Sequence, residues 1–371
     1  MKIPSLPSRV AVAAIGILFV VTGCSNGESN STKPKPDAAP TSGNADAAPE
    51  AQSPDGKTAG ADAGREDGVP GLVGPDAKIT VPDISPDSGK APADAKSDAS
   101  GEATFMPPMP NVDLDPTLGD TTDFGTSAGF KIILDYRYDD GKFMTAERRK
   151  VVRAAAASWE QFIGSDFTAI PAGTSIRTRD PENADGGMNV SVTYPIDDLV
   201  VFIGSSKIDG KGGTLAGAYS SLTVGGMPAE LSASLNQRYK GNPFQPWVAT
   251  VVFDIEEDAF ADTTLDTAND IPSSATDLYS TALHELGHVL GTGQSAAYLA
   301  LVSNATFTGA KSEALYGGPV PLTSDGKHVL KTVIFDGRRL VMDQSDAAGD
   351  RSYITRLDLA MLEDQGYTIR R

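Results

Sequence analysis

Thr281-Ala282-Leu283-His284-Glu285-Leu286-Gly287-His288-Val289-Leu290-Gly291 carries two of the three histidines in the 371-residue chain, placed four positions apart. On a helix, residues i and i+4 share a face, with their Cβ atoms about 5–6 Å apart. Two imidazoles at that separation can bind one tetrahedral Zn²⁺, with Glu285 one step round the helix beside the metal. With histidine so scarce, a chance H-E-x-x-H in a chain of this length is on the order of a one-in-a-thousand event. A surface helix bearing two solvated histidines is the bland alternative.

The sequence around this stretch predicts a helix from Asp277 to Leu290. Ser274 or Thr276 is available as its cap, and Asp277 falls in its first turn. Gly291 stands where a left-handed residue would end the helix and turn the chain. Upstream, Phe130, Ile132, Leu134, Tyr136 and Tyr138 alternate along one face and predict a strand. Thr145-Ala146-Glu147-Arg148 then opens an alanine-rich helix to about Ile163, with Val152, Ala155, Trp159 and Phe162 along its stripe. Phe167–Ile170 reads as a second strand, and Leu199–Ile203 as a third, buried on both faces. Gly212–Tyr219 is glycine-interrupted and suits an edge strand, and Ala249–Asp254 is another buried strand. After Gly291 the chain reads as loop-rich as far as Met342. Thr355-Arg356-Leu357-Asp358 starts a last helix with a Thr-x-x-Asp capping box, ending at Gly366. The order implies an α/β (α+β) domain: a twisted mixed sheet, a long backing helix, the histidine helix, and a loop-rich C-terminal lobe ending in a helix.

The N-terminus reads differently. Lys2 and Arg9 precede an apolar run from Val10 to Val21, too short for a transmembrane helix, which needs about 20 residues. Val21-Thr22-Gly23-Cys24 resembles the lipobox of bacterial lipoproteins, which implies a signal peptide over residues 1–23 and lipidation of Cys24. Cys24 is the only cysteine, so the chain has no internal disulfide. Lipobox cysteines carry more than one acyl chain, which makes anchoring stable. Ser25 follows in place of an inner-membrane retention aspartate. The expected location is therefore the bacterial cell envelope, outer membrane or cell surface rather than inner membrane.

Residues 24–125 are rich in Ala, Pro, Asp, Gly, Ser and Lys, with no aromatic residue before Phe105. Such a stretch cannot bury enough apolar area to offset its ordering entropy, so it reads as a disordered tether. A pro-region that folds onto the catalytic domain is the alternative; with no second cysteine, it could not be a cysteine switch. Residues 126–371 read as the globular part, roughly 245 residues: one domain of ordinary size, or two small lobes around a cleft. The net charge of −18 argues against nucleic acid or anionic lipid as a partner, since both need basic surface.

Catalytic zinc sites use three protein ligands plus water, so two histidines are not enough. Three residues are candidates. The extended metzincin pattern H-E-x-x-H-x-x-G-x-x-H puts its third ligand at position 294, which holds Gln294, a neutral amide and a poor ligand. In gluzincins a downstream glutamate serves, and Glu313 is the nearest. His328 is the remaining histidine. Shortly after it, Leu340-Val341-Met342-Asp343 resembles the Met-turn beneath the zinc of metzincins, and Gly291 stands where that clan has its glycine turn. Tyr316-Gly317-Gly318-Pro319-Val320-Pro321-Leu322, Asp325-Gly326-Lys327-His328 and the ending Ile354–Tyr367 are similar to bacterial leishmanolysin-like proteases, whose third histidine follows a long insertion. The resemblance spans about Asp277–Tyr367 and is vaguer from Phe130 to Ile255. Gln344 stands where astacins and serralysins carry a tyrosine after the Met-turn, and Val329 where a tryptophan would follow the third histidine.

The resemblance implies a zinc endopeptidase with His284, His288 and His328 as ligands, Glu285 as general base and Met342 as the Met-turn residue. Protein or peptide substrate would pair with the edge strand at Thr214, Leu215, Ala216 and Tyr219. A silent surface-binding or adhesion lipoprotein on the same fold, or a gluzincin-like peptidase using Glu313, are the competing functions. Asp254-Ile255-Glu256-Glu257-Asp258 offers oxygen ligands for Ca²⁺, although a solvated acidic loop is the simpler reading. Gly210-Lys211-Gly212-Gly213 lacks the P-loop ending and implies no nucleotide.

Overall fold

Leu199-Val200-Val201-Phe202-Ile203 contains no polar side chain, which suits a strand covered on both faces, and it lies in the middle strand of the main sheet. The structure, a computed structural model, describes residues 122–370 apart from 126, 140–142, 221–222, 225–227 and 345–347. Cys24, the signal sequence and the tether up to residue 121 lie outside the described residues. In chain order come β1 (Thr122–Asp123), β2 (Ile132–Asp135), α1 (Ala146–Glu160), β3 (Thr174–Asp180), β4 (Asn183–Val192), β5 (Leu199–Ser206), β6 (Ala216–Tyr219) and β7 (Thr223–Val224). They are followed by α2 (Ala229–Arg238), β8 (Val248–Asp254), α3 (Leu278–Val289), α4 (Ala296–Leu299), α5 (Ala310–Tyr316) and α6 (Arg356–Asp364).

The fold is mixed α/β. The main sheet runs β1-β2-β5-β8-β6. β2, β5 and β8 are parallel, while β1 and β6 close its two edges antiparallel. Parallel neighbours need crossovers, and α1 supplies one between β2 and β5. β2 is shorter than the alternation over Phe130–Tyr138 predicts, and both of its faces are buried. A strand inside a parallel sheet has no solvent face to show. β1 begins before residue 126, so the sheet takes in the end of the predicted tether.

Thr145 caps α1 through its side chain, which accepts from Arg148 N–H. The helix packs on α3: Trp159 Nε1 donates to the Leu283 carbonyl at 2.9 Å, and Ser158 meets the Tyr279 hydroxyl at 2.8 Å. Arg153 and Glu160, paired at 2.6 Å inside the core, are anchored to β2. Arg153 donates to Ile132 O, and Glu160 accepts from Ile132 N–H. The long helix thus carries both the sheet and the histidine helix.

Two expectations need correction. Phe167–Ile170 is not a strand; only Ile170 bridges, to Ile196, because the Phe167 N–H is taken by the Asp198 carboxylate at 2.6 Å. The cap of α3 is Asp277 itself, not Ser274 or Thr276, and its carboxylate accepts from Ser280 N–H. The β3–β4 hairpin and α2 are also present without having been anticipated. The hairpin meets the main sheet where the Thr178 and Thr250 hydroxyls lie 3.0 Å apart. The C-terminal lobe holds α4, α5 and a small three-stranded sheet between long loops. The capping box of Thr355 and Asp358 is present as predicted.

Candidate metal centre

All twelve residues of α3 are buried, so His284 and His288 point into protein rather than water. The bland alternative of two solvated histidines is thereby excluded. His284 Nδ1 lies 2.8 Å from the Val341 carbonyl, and His288 Nδ1 lies 2.8 Å from the Thr292 carbonyl. A carbonyl only accepts, so both rings carry their proton on Nδ1 and leave Nε2 as a lone pair. Gly291 makes the second of these bonds feasible. Its φ of 115° reverses the chain immediately after α3, which returns Thr292 O to the ring four residues earlier. A Cβ at Gly291 would meet Gln365 Oε1 and Phe244 Cδ1 at 2.7 Å.

His328 arrives from forty residues away along a strand-like loop. Thr323 N–H donates to its carbonyl at 2.8 Å, and the next residue, Val329, donates to Met342 O at 2.8 Å. Held between those two segments, its Nε2 sits 3.1 Å from His288 Nε2, which is itself 3.1 Å from His284 Nε2. Among the described residues this is the group of three that could hold a metal ion. Nitrogens about 2.0–2.1 Å from a common tetrahedral ion lie roughly 3.3 Å apart, so the spacing matches. Two ring nitrogens that both lack a proton repel at this distance, and a cation between them removes the conflict.

Burial is the main force on all three rings. It pushes each imidazole down to about 3, helped by the neighbouring histidine in every case. The rings are neutral at pH 7, the form a metal requires. Glu285 is buried on α3 beside His284. Met342 lies under the same helix: a Cβ at Gly287 would fall 2.3 Å from its Sδ. Gly287 is therefore the gap into which the methionine fits, a packing role that the sequence pattern did not expose.

The other candidates fare differently. Glu313 is half-buried on α5 and is not part of the group that converges with His284 and His288. Gln294 is buried in the turn after Gly291. Thr214, Leu215, Ala216 and Tyr219 are buried, with Ala216 and Tyr219 on β6, the terminal strand of the main sheet. In the acidic loop, Asp254 accepts from the N–H groups of Ile208, Asp209 and Glu256. Glu257 accepts from Gly212 and Gly213, and Glu256 pairs with Lys207. Those oxygens are committed to fastening the glycine loop, and Ca²⁺ is not needed to explain them. The chain matches no protein-family model and no curated protein.

Proposed function

We propose that the chain is a zinc-dependent endopeptidase of the metzincin type, nearest in pattern to the leishmanolysin-like branch. It would hydrolyse peptide bonds of extracytoplasmic proteins while anchored through lipid on Cys24. The observation that carries this reading is the convergence of His328 on the His284–His288 pair, with Glu285 alongside. Met342 beneath α3 and an antiparallel edge strand on a parallel sheet support the comparison. Imidazole donors suit zinc, copper, iron and nickel. Zinc is the choice for hydrolysis because it brings no redox chemistry and no preferred geometry from d-electrons.

When bound, the ion supplies Lewis acidity at the scissile carbonyl and acidifies water towards a pKa of about 7. The chain does the rest. His284, His288 and His328 hold their Nε2 lone pairs inward, two of them through carbonyl bonds on the far nitrogen. Glu285 accepts the proton of the attacking water and passes it to the leaving amine nitrogen. Gln344, not a tyrosine, stands two residues past Met342, so transition-state help from a tyrosine at that position forms no part of this reading. Substrate would extend along β6, pairing backbone to backbone.

The test is metal analysis beside a casein or peptide-library cleavage assay. About one zinc per chain, cleavage abolished by chelation and its return on adding Zn²⁺ are expected. A purified protein that takes up no zinc on reconstitution and cleaves nothing would end the proposal.

A further inference from the structure

Helix α6 reaches the metal centre without contributing a ligand. Its capping box encloses the Asp358 carboxylate, which is 3% exposed. Oδ2 of Asp358 accepts from Thr355 N–H at 2.8 Å and from the Thr355 hydroxyl at 2.7 Å. Those bonds belong to the cap. A third does not: Val341 N–H, seventeen positions earlier, also donates to Oδ2 at 3.4 Å. Capping boxes commonly lie at solvated helix ends, whereas this carboxylate is desolvated and must be offset by every bond it accepts.

The segment it grips is the one on which the ligands depend. Val341 O accepts Nδ1–H of His284, and Met342 O accepts the N–H of Val329, the residue after His328. One stretch of backbone therefore orients the ring of one ligand and the chain carrying another. The Met342 side chain fills the gap at Gly287 between the two ligands on α3.

We propose that Asp358 is a positioning residue for the metal centre, holding Val341 and Met342 so that His284 and His328 present their Nε2 atoms together. The inference rests on reading the three histidines as ligands, but its first readout needs no metal. In the metal-free protein, the Nδ1–H proton of His284 is shielded from exchange by its bond to Val341 O and gives a slowly exchanging downfield NMR resonance. Asp358→Ala loses that protection and, on titration with Zn²⁺ alone against a chromophoric chelator, binds about 10–100-fold more weakly. The Co²⁺-loaded variant shows an altered visible spectrum. Leu362→Ala loosens the same helix from the core but leaves the carboxylate in place; it keeps the resonance and the wild-type affinity.

Retention of both properties in Asp358→Ala would overturn the inference, as would an equal loss of zinc affinity in Leu362→Ala. Should Asp358→Ala lose the resonance while the wild type takes up no zinc, the positioning of His284 stands and the metal reading falls.

Discussion

Arg351 is the residue whose loss has the most readily worked consequence. Its side chain is fully buried and bridges two buried carboxylates, Asp262 at 2.6 Å and Asp277 at 3.0 Å. It also donates to Thr267 O at 2.8 Å. Asp277 caps α3, so the guanidinium steadies the start of the segment that carries His284 and His288. Arg351→Ala leaves two carboxylates enclosed with no cation between them. Removing one partner of a buried pair costs about 3–5 kcal/mol, because the surviving charge keeps its desolvation penalty. For a domain of about 250 residues, where 1 kcal/mol moves Tm by roughly 2–4 °C, the expected drop is on the order of 6–20 °C. The loss has a pH signature. In the wild type Asp262 lies below its ordinary value, with hydrogen bonds from Thr264 and Arg351 outweighing its burial; its contribution is present at neutral pH and is lost as acid titrates it. In Arg351→Ala the Asp262 carboxyl keeps its burial but loses the guanidinium that helps hold it down, so protonation in acid relieves the variant and narrows its gap to wild type. Urea denaturation at pH 7.5 and pH 4.5 measures this. The triple variant Arg351→Leu, Asp262→Asn, Asp277→Asn should recover a large share of the stability, since the charges leave together. A loss under about 1 kcal/mol at pH 7.5, or a gap that widens in acid, would refute the account.

Further outcomes can be checked beside it. Glu285→Ala is expected to keep zinc and lose about 10²–10⁴-fold in peptide cleavage, whereas His328→Ala loses metal and activity together, both read by metal analysis and peptidase assay. In the metal-free protein the three imidazoles, each pushed down to about 3 by burial first, stay neutral from pH 8 to pH 5. Their folded values lie below the unfolded value near 6.5, so the stability they confer is present above pH 6.5 and lost as pH falls towards 3. NMR titration of the ring protons tests this, and a midpoint near 6.5 in any of the three would contradict it. Gly287→Ala, which forces a Cβ against Met342 Sδ, should cost about 1–3 kcal/mol by overpacking. Combining it with Met342→Ala should be less than additive in urea denaturation, because the methionine then no longer opposes the new methyl.

What could be read from the amino-acid order was local. The i, i+4 histidines, the Thr355–Asp358 capping box, the Thr145 cap and the all-apolar Leu199–Ile203 run each depend on neighbours within a few positions, and each is present in the fold. Gly291 was legible for the same reason: a helix must stop, and a left-handed residue after it is the cheap way. The third member of the histidine group was different. His328 could be ranked above Glu313 only by pattern, since no local rule tells a loop histidine where the chain will bring it. The β3–β4 hairpin was missed because it owes its state to a partner far along the chain, the sheet; the cap at Asp277 is local, to Ser280 three positions on, and was placed one to three residues too early among neighbouring capping residue types. Convergence of three rings at 3.1 Å steps, the fit of Met342 into Gly287, and the grip of Asp358 on Val341 are decided only when distant segments pack. Spacing along a chain sets what a helix face can offer; burial, which strips water from those groups and forces each to find a partner, sets what the face is offered to.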